Sequence, residues 1–152
     1  MSLDNSQILI RVADKRWREE VPLLRPLIRA SVNAAWEGEA AREVSVLLTG
    51  DAQVRELNAA WRGIDKPTNV LSFPAEEPDS AGDIALAFET VRREALRARQ
   101  PVGRRLARLL VHGAFHLRGL DHQTDAEAAV MEARERAAMK QLNALKIWDK
   151  TP

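Results

Sequence analysis

Apolar residues recur along this chain at two spacings, and the switches between them mark out the elements. Residues 7–12, Gln-Ile-Leu-Ile-Arg-Val, are a short β-branched run and predict a strand. Over 22–36, Leu24, Leu27, Ile28, Ser31, Val32 and Ala35 repeat at helical spacing. Pro22 and Pro26 fit the first turn of that helix, where a missing N–H is tolerated. Residues 44–49 predict a second strand. Gly50-Asp51 breaks it, and Asp51 is placed to cap a helix carrying Val54, Leu57 and Trp61. A polar connection at 63–67 leads to a third strand at 68–74, ended by Pro74. An acidic loop rich in Pro, Asp and Ser precedes a fourth strand at 82–88, and a helix then runs to Arg99, where Gln100-Pro101 interrupts it. The most apolar helix spans 102–118 and is greasy around most of its circumference, as a helix packed on several sides must be. Thr124-Asp125-Ala126-Glu127 has the capping-box pattern and opens a last helix.

Strands interleaved with helices predict an α+β (mixed α/β) fold, with a four-stranded mixed sheet packed against helices. A length of 152 residues suits one domain, here 1–152. The absence of cysteine excludes disulfides, thiolate catalysis and sulfur-ligated metal, and it fits a reducing compartment. The first residues carry no basic segment followed by an apolar run, and no stretch is apolar enough to span a bilayer. The expectation is a cytoplasmic protein with no membrane partner.

Net charge is only +1, which argues against indiscriminate coating of nucleic acid, but the charge is unevenly placed. Residues 76–89 are acidic without a base. Arg92, Arg93, Arg97, Arg99, Arg104, Arg105 and Arg108 follow, opposed only by Glu94. Such a block either holds a phosphate backbone or forms solvated helix faces.

All three histidines, His112, His116 and His122, lie within eleven residues. Four-residue spacing puts His112 and His116 on one helix face, and Arg105 and Arg108 lie within about 40° of His112 on that helix. Gly119 permits the left-handed cap that reverses the chain and brings His122 back. Three neutral imidazoles converging in this way make a metal site with one position open. Imidazole donors favour one Zn²⁺ per chain, although nickel, copper or cobalt would bind the same set. Asp121 is placed either to orient a ligand or to cap the loop. The spacing His-x₃-His-x₂-Gly-x₂-His also matches the zincin ligand frame, in which glutamate follows the first histidine as general base. Here that residue is Gly113, so the peptidase chemistry lacks its proton acceptor.

The segment 112–122 resembles the His-Gly-x-Leu-His-Leu-x-Gly-Tyr-Asp-His signature of the YbeY family, with Phe115 and Leu120 departing from it. Leu57-Asn58, Trp61-Arg62, Asp65-Lys66-Pro67-Thr68-Asn69-Val70-Leu71-Ser72-Phe73-Pro74 and Gly82-Asp83-Ile84 resemble further blocks of the same family, with Asn69 standing where the family has aspartate, and the likeness runs over essentially the whole chain. The resemblance implies a four-stranded sheet around a central metal-bearing helix, zinc on His112, His116 and His122, and Arg62 as a basic residue important for activity. It implies a single-strand endoribonuclease of small-subunit rRNA 3′-end maturation and ribosome quality control. Its implied partners are rRNA, the small subunit, a small-subunit ribosomal protein and a ribosome-associated GTPase.

For that chemistry Arg62 is the expected phosphate clamp, because a guanidinium matches two phosphoryl oxygens in a fork. Lys66, Arg105 and Arg108 are weaker candidates for backbone contact. Asp83 and Asp121 are the side chains available as a general base. Ser72, inside an apolar strand, reads as structural. Trp61 can stack a base, whereas Trp17, Trp36 and Trp148 read as core. Two other readings share the metal site: a non-catalytic, zinc-stabilised ribosome assembly factor, and a metallohydrolase of another substrate.

Overall fold

The computed structural model describes residues 7–39, 42–120 and 122–148. In chain order it contains β1 (Ile8–Val12), α1 (Arg16–Glu20), α2 (Leu24–Trp36), β2 (Glu43–Thr49), α3 (Asp51–Arg62), β3 (Val70–Pro74), β4 (Ser80–Ala87), α4 (Phe88–Ala98), α5 (Val102–Leu117) and α6 (Asp125–Leu145). One mixed four-stranded sheet runs in the order β1-β2-β4-β3. β1, β2 and β4 are mutually parallel, and β3 joins β4 antiparallel at the edge.

Alternation along β4 divides the core between the two faces of the sheet. Ile84 and Leu86 belong to the large cluster that also holds Leu106, Leu110 and Phe115 of α5 and Ile28 and Trp36 of α2. Ala85 and Ala87 point the other way, joining Val54 of α3 and Leu71 of β3 in a smaller cluster. Ten of the sixteen residues of α5 are buried, so the helix predicted to be apolar all round is the central one. No helix among the described residues is long and apolar enough to cross a membrane.

Three local expectations are corrected. Asp51 does not cap α3. Gly50 holds the N-cap position, and Asp51 is the first helical residue. Its carboxylate instead accepts from the Thr90 N–H (3.1 Å) and hydroxyl (2.9 Å), while Glu89 accepts from the Asp51 N–H (3.0 Å). Two helix N-termini thus exchange carboxylates, each beside unsatisfied donors. Pro22 precedes α2, and only Pro26 lies in its first turn. The short helix α1 was not expected, because five residues are too few for a periodic signal. It is held by Trp17, fully buried, whose indole N–H donates to the Thr49 carbonyl (2.9 Å).

Gly82 of β4 lies against the backbone of β3. Its φ is +135°, and a Cβ there would run into the Phe73 carbonyl oxygen. We expect Gly82→Ala to cost about 3 kcal/mol and to lower the Tm by roughly 10 °C, from backbone strain and the clash together. Thermal unfolding by circular dichroism checks it.

Candidate metal centre

His112 and His116 stand one turn apart on α5, with their Nε2 atoms 3.0 Å apart. The helix ends where the Gly119 N–H donates to His116 O (2.9 Å) and the Leu120 N–H to Phe115 O (3.1 Å). Gly119 itself takes φ +88°, the left-handed conformation expected of it. The reversed chain returns His122, and one nitrogen from each of the three rings lies within 4.8 Å of the others. Three nitrogens bound to one zinc at about 2.0–2.1 Å would stand roughly 3.3 Å apart. The convergence therefore suits a single first-row metal ion. His112 and His116 are half-buried and His122 is exposed, which leaves one side of the cluster open to solvent.

That side faces a groove of about 770 Å³ between α5, β3 and the C-terminal end of α3. Arg62, at the last turn of α3, lines it together with Arg105 and Arg108 from α5. The site thus collects Arg62 from α3, His112 and His116 from α5 and His122 from the turn that follows α5. Ser72 keeps the structural place expected of it: its hydroxyl donates to the Gly113 carbonyl (3.4 Å). Gly113 packs α5 onto the sheet. A Cβ there would meet Ser72 Oγ at 3.0 Å and Ile84 Cγ2 at 3.2 Å, so this position points into the sheet and has no room for a glutamate.

The family model described as Endoribonuclease YbeY matches residues 5–143. The chain belongs to the YbeY family. Relatives named Endoribonuclease YbeY include that of Rhodopseudomonas palustris, 48% identical over 90% of this chain and 88% of its own. That of Nitrobacter hamburgensis is 45% identical over 88% of this chain and 77% of its own. The solution structure of TM1509 from Thermotoga maritima superposes with a TM-score of 0.62 at 24% identity, covering 95% of this chain and 97% of that one, and thereby supports the fold.

Within this YbeY-family site, sequence reasoning missed Glu135. It projects from α6, is 6% exposed, and accepts from His112 Nδ1 at 3.0 Å. A proton fixed on Nδ1 leaves the Nε2 lone pair facing the cluster. Arg108 Nε lies 3.7 Å from the same carboxylate oxygen. Burial pushes the Glu135 carboxyl up, but the hydrogen bond from His112 and the charges of His112, Arg108 and His116 outweigh it, holding the group below the usual carboxylate range. A signal was present: Glu135 shares the buried stripe of α6 with Met131, Ala138 and Leu142, where an acid has no place unless it is paired. We expect Glu135→Ala to weaken zinc affinity about 10–100-fold, measured by competition with a chromogenic chelator.

Other expectations are redistributed. Asp83 is exposed on the sheet face that carries Leu47 and Ala85, away from the histidines, so it cannot act as their base. Lys66 is exposed and lies outside the groove lining. Asp121 lies outside the described residues. The arginine block is largely a solvated face: Arg92 pairs with Glu20 (3.3 Å) and Arg93 with Asp51 (4.0 Å). Arg105 reaches the groove but is held by Glu94 at 2.9 Å, and both Glu94 oxygens accept from Asn69 Nδ2 at 3.1 Å. Trp61 is 74% exposed beside Arg62, whereas Trp17 and Trp36 are core, with Trp148 packed against it.

Proposed function

We propose that this chain is a zinc-dependent, single-strand-specific endoribonuclease that matures the 3′ end of small-subunit rRNA and takes part in ribosome quality control. The observation that carries the reading is the placement of three convergent imidazoles and Arg62 on one groove, in a chain whose relatives are named endoribonucleases. Residues 1–152 are proposed to act as one such domain in the cytoplasm, with a small-subunit ribosomal protein and a ribosome-associated GTPase as partners. The partners rest on the family resemblance.

His112, His116 and His122 would hold the zinc in a zincin-like frame that lacks the zincin glutamate, since Gly113 takes that place. Zinc bound there would supply Lewis acidity to the phosphodiester at the open position. Arg62 presents a guanidinium fork to two phosphoryl oxygens and holds the RNA strand in register as negative charge builds on those oxygens. Glu135 keeps His112 in the tautomer whose Nε2 faces the cluster. The Asn69 amide is committed to Glu94, which leaves its carbonyl oxygen to accept from a nucleotide donor.

The test uses a labelled rRNA 3′ fragment, single-stranded or annealed to its complement. Cleavage of the free strand alone, stopped by a chelator and restored by zinc, is the expected result. Equal cleavage of both forms, or cleavage indifferent to chelator, would overturn the reading.

A further inference from the structure

β3 is an edge strand, and the outward-facing edge of its backbone lies along the groove. Its register decides which groups face out. The Ala87 N–H donates to Asn69 O (3.0 Å) and the Ala75 N–H to Ala81 O (3.0 Å). Position 69 therefore stands opposite 87 and position 75 opposite 81, and with this register Leu71 pairs with Ala85 and Phe73 with Asp83. Residues 69, 71, 73 and 75 spend their backbone groups on β4, and the alternating residues 70, 72 and 74 turn theirs away from it. No strand pairs with that outer edge among the described residues. Val70 and Ser72 both line the groove that holds the histidines and Arg62. Each offers one N–H and one C=O side by side. Pro74, the next outward position, has no N–H to offer.

We propose that the outer edge of β3 reads the Watson–Crick edge of an RNA base held in the groove, through the N–H and C=O of Ser72 and of Val70. This rests on the endoribonuclease reading above and deepens it. Every nucleobase carries an adjacent donor and acceptor on that edge, so one residue's outward pair satisfies a base of any identity in a suitable orientation. In a duplex those groups are already paired, and the edge has nothing to bind. The preference for single strands then follows from hydrogen-bond accounting rather than from groove width alone. Val70 and Ser72 are about 6.8 Å apart along the strand, about twice the 3.4 Å rise of stacked bases, so adjacent nucleotides reach both only when unstacked from each other.

The same observations favour RNA over an added peptide strand. Strand addition needs a continuous row of donors and acceptors, and this row stops after two residues at Pro74. Arg62 lines the same groove and its guanidinium matches a phosphate, whereas Arg105 and Arg108 line it beside Glu94 and Glu135.

The experiment compares single-stranded RNA oligonucleotides in which a uridine near the scissile bond, position by position, is replaced by N3-methyluridine or by C5-methyluridine. The first methyl blocks the Watson–Crick edge and the second lies away from it. With wild-type protein, N3-methylation at one or two positions is expected to lower kcat/KM at least about tenfold, and C5-methylation less than about twofold. Ser72→Pro removes the outward N–H without touching the β3–β4 ladder, and there the N3-methyl penalty is expected to shrink below about threefold. Ser72→Ala, which loses only the hydroxyl contact to Gly113, is expected to keep the full penalty. Should Ser72→Pro not fold, Val70→Pro carries the same comparison. Tolerance of N3-methylation at every position, or an undiminished penalty in the proline variant, would overturn the proposal while leaving the nuclease reading intact. Failure of the wild type to cleave any unmodified RNA would instead remove the nuclease reading, and this proposal with it.

Discussion

His116→Ala is expected to abolish RNA cleavage, with a loss of at least about 10³-fold, because the several kcal/mol that a Lewis acid contributes to phosphoryl chemistry disappear together. The His116 Nε2 atom lies 3.0 Å from His112 Nε2. Its loss leaves two donors, one of them on the exposed His122, and a two-imidazole site holds zinc poorly against solvent. Metal content is expected to fall from one equivalent per chain to below about a tenth. The fold is expected to survive. His116 is only half-buried, and the core beneath it is carried by Leu110, Phe115 and Ile84. Inductively coupled plasma mass spectrometry, far-ultraviolet circular dichroism and a cleavage assay on the same preparation separate the three effects.

Arg62→Glu is expected to lower kcat/KM about 10²–10³-fold with zinc content unchanged, the range seen when one charge-stabilising donor is removed from a site of developing negative charge. Arg62 is exposed at the end of α3, outside both apolar clusters, so its replacement leaves the core alone. Reversal of charge both removes the fork and repels the phosphate. Arg62→Lys is expected to recover part of the activity, remaining roughly tenfold below wild type, because an ammonium keeps the charge without the two-pronged geometry. Retained zinc with lost cleavage separates Arg62 from the histidines. An Arg62→Glu protein that cleaves as wild type does would remove the residue from the site.

What could be read from the sequence was what repeats or sits close together along the chain. The histidine trio is local, so spacing plus one glycine sufficed to bring it together, and Gly119 adopts the positive φ this demanded. The capping box at Thr124 and Glu127 is likewise local and is formed as expected. Strands at Ile8–Val12 and Glu43–Thr49 were visible because both are runs of β-branched and aliphatic residues. Long-range pairings were not visible. Glu135 lies 23 residues beyond His112 and meets it only because α6 packs on α5. Asp51 looked like a cap because its sequence context is right, yet α4 supplies Thr90 as a better donor. Asp83 looked available as a base, and strand alternation turned it to the other side of the sheet. The edge status of β3, on which the base-reading proposal stands, depends on strand order, which no local pattern encodes.

The most direct test of the metal centre is X-ray absorption at the zinc edge on the loaded protein and on His122→Ala. The account predicts three imidazole nitrogen donors at about 2.0–2.1 Å in the wild type, and in the variant a zinc content below about a tenth of an equivalent with no three-imidazole signal from what remains. A wild-type spectrum with fewer than three imidazoles, or one that His122→Ala leaves unchanged, would contradict it.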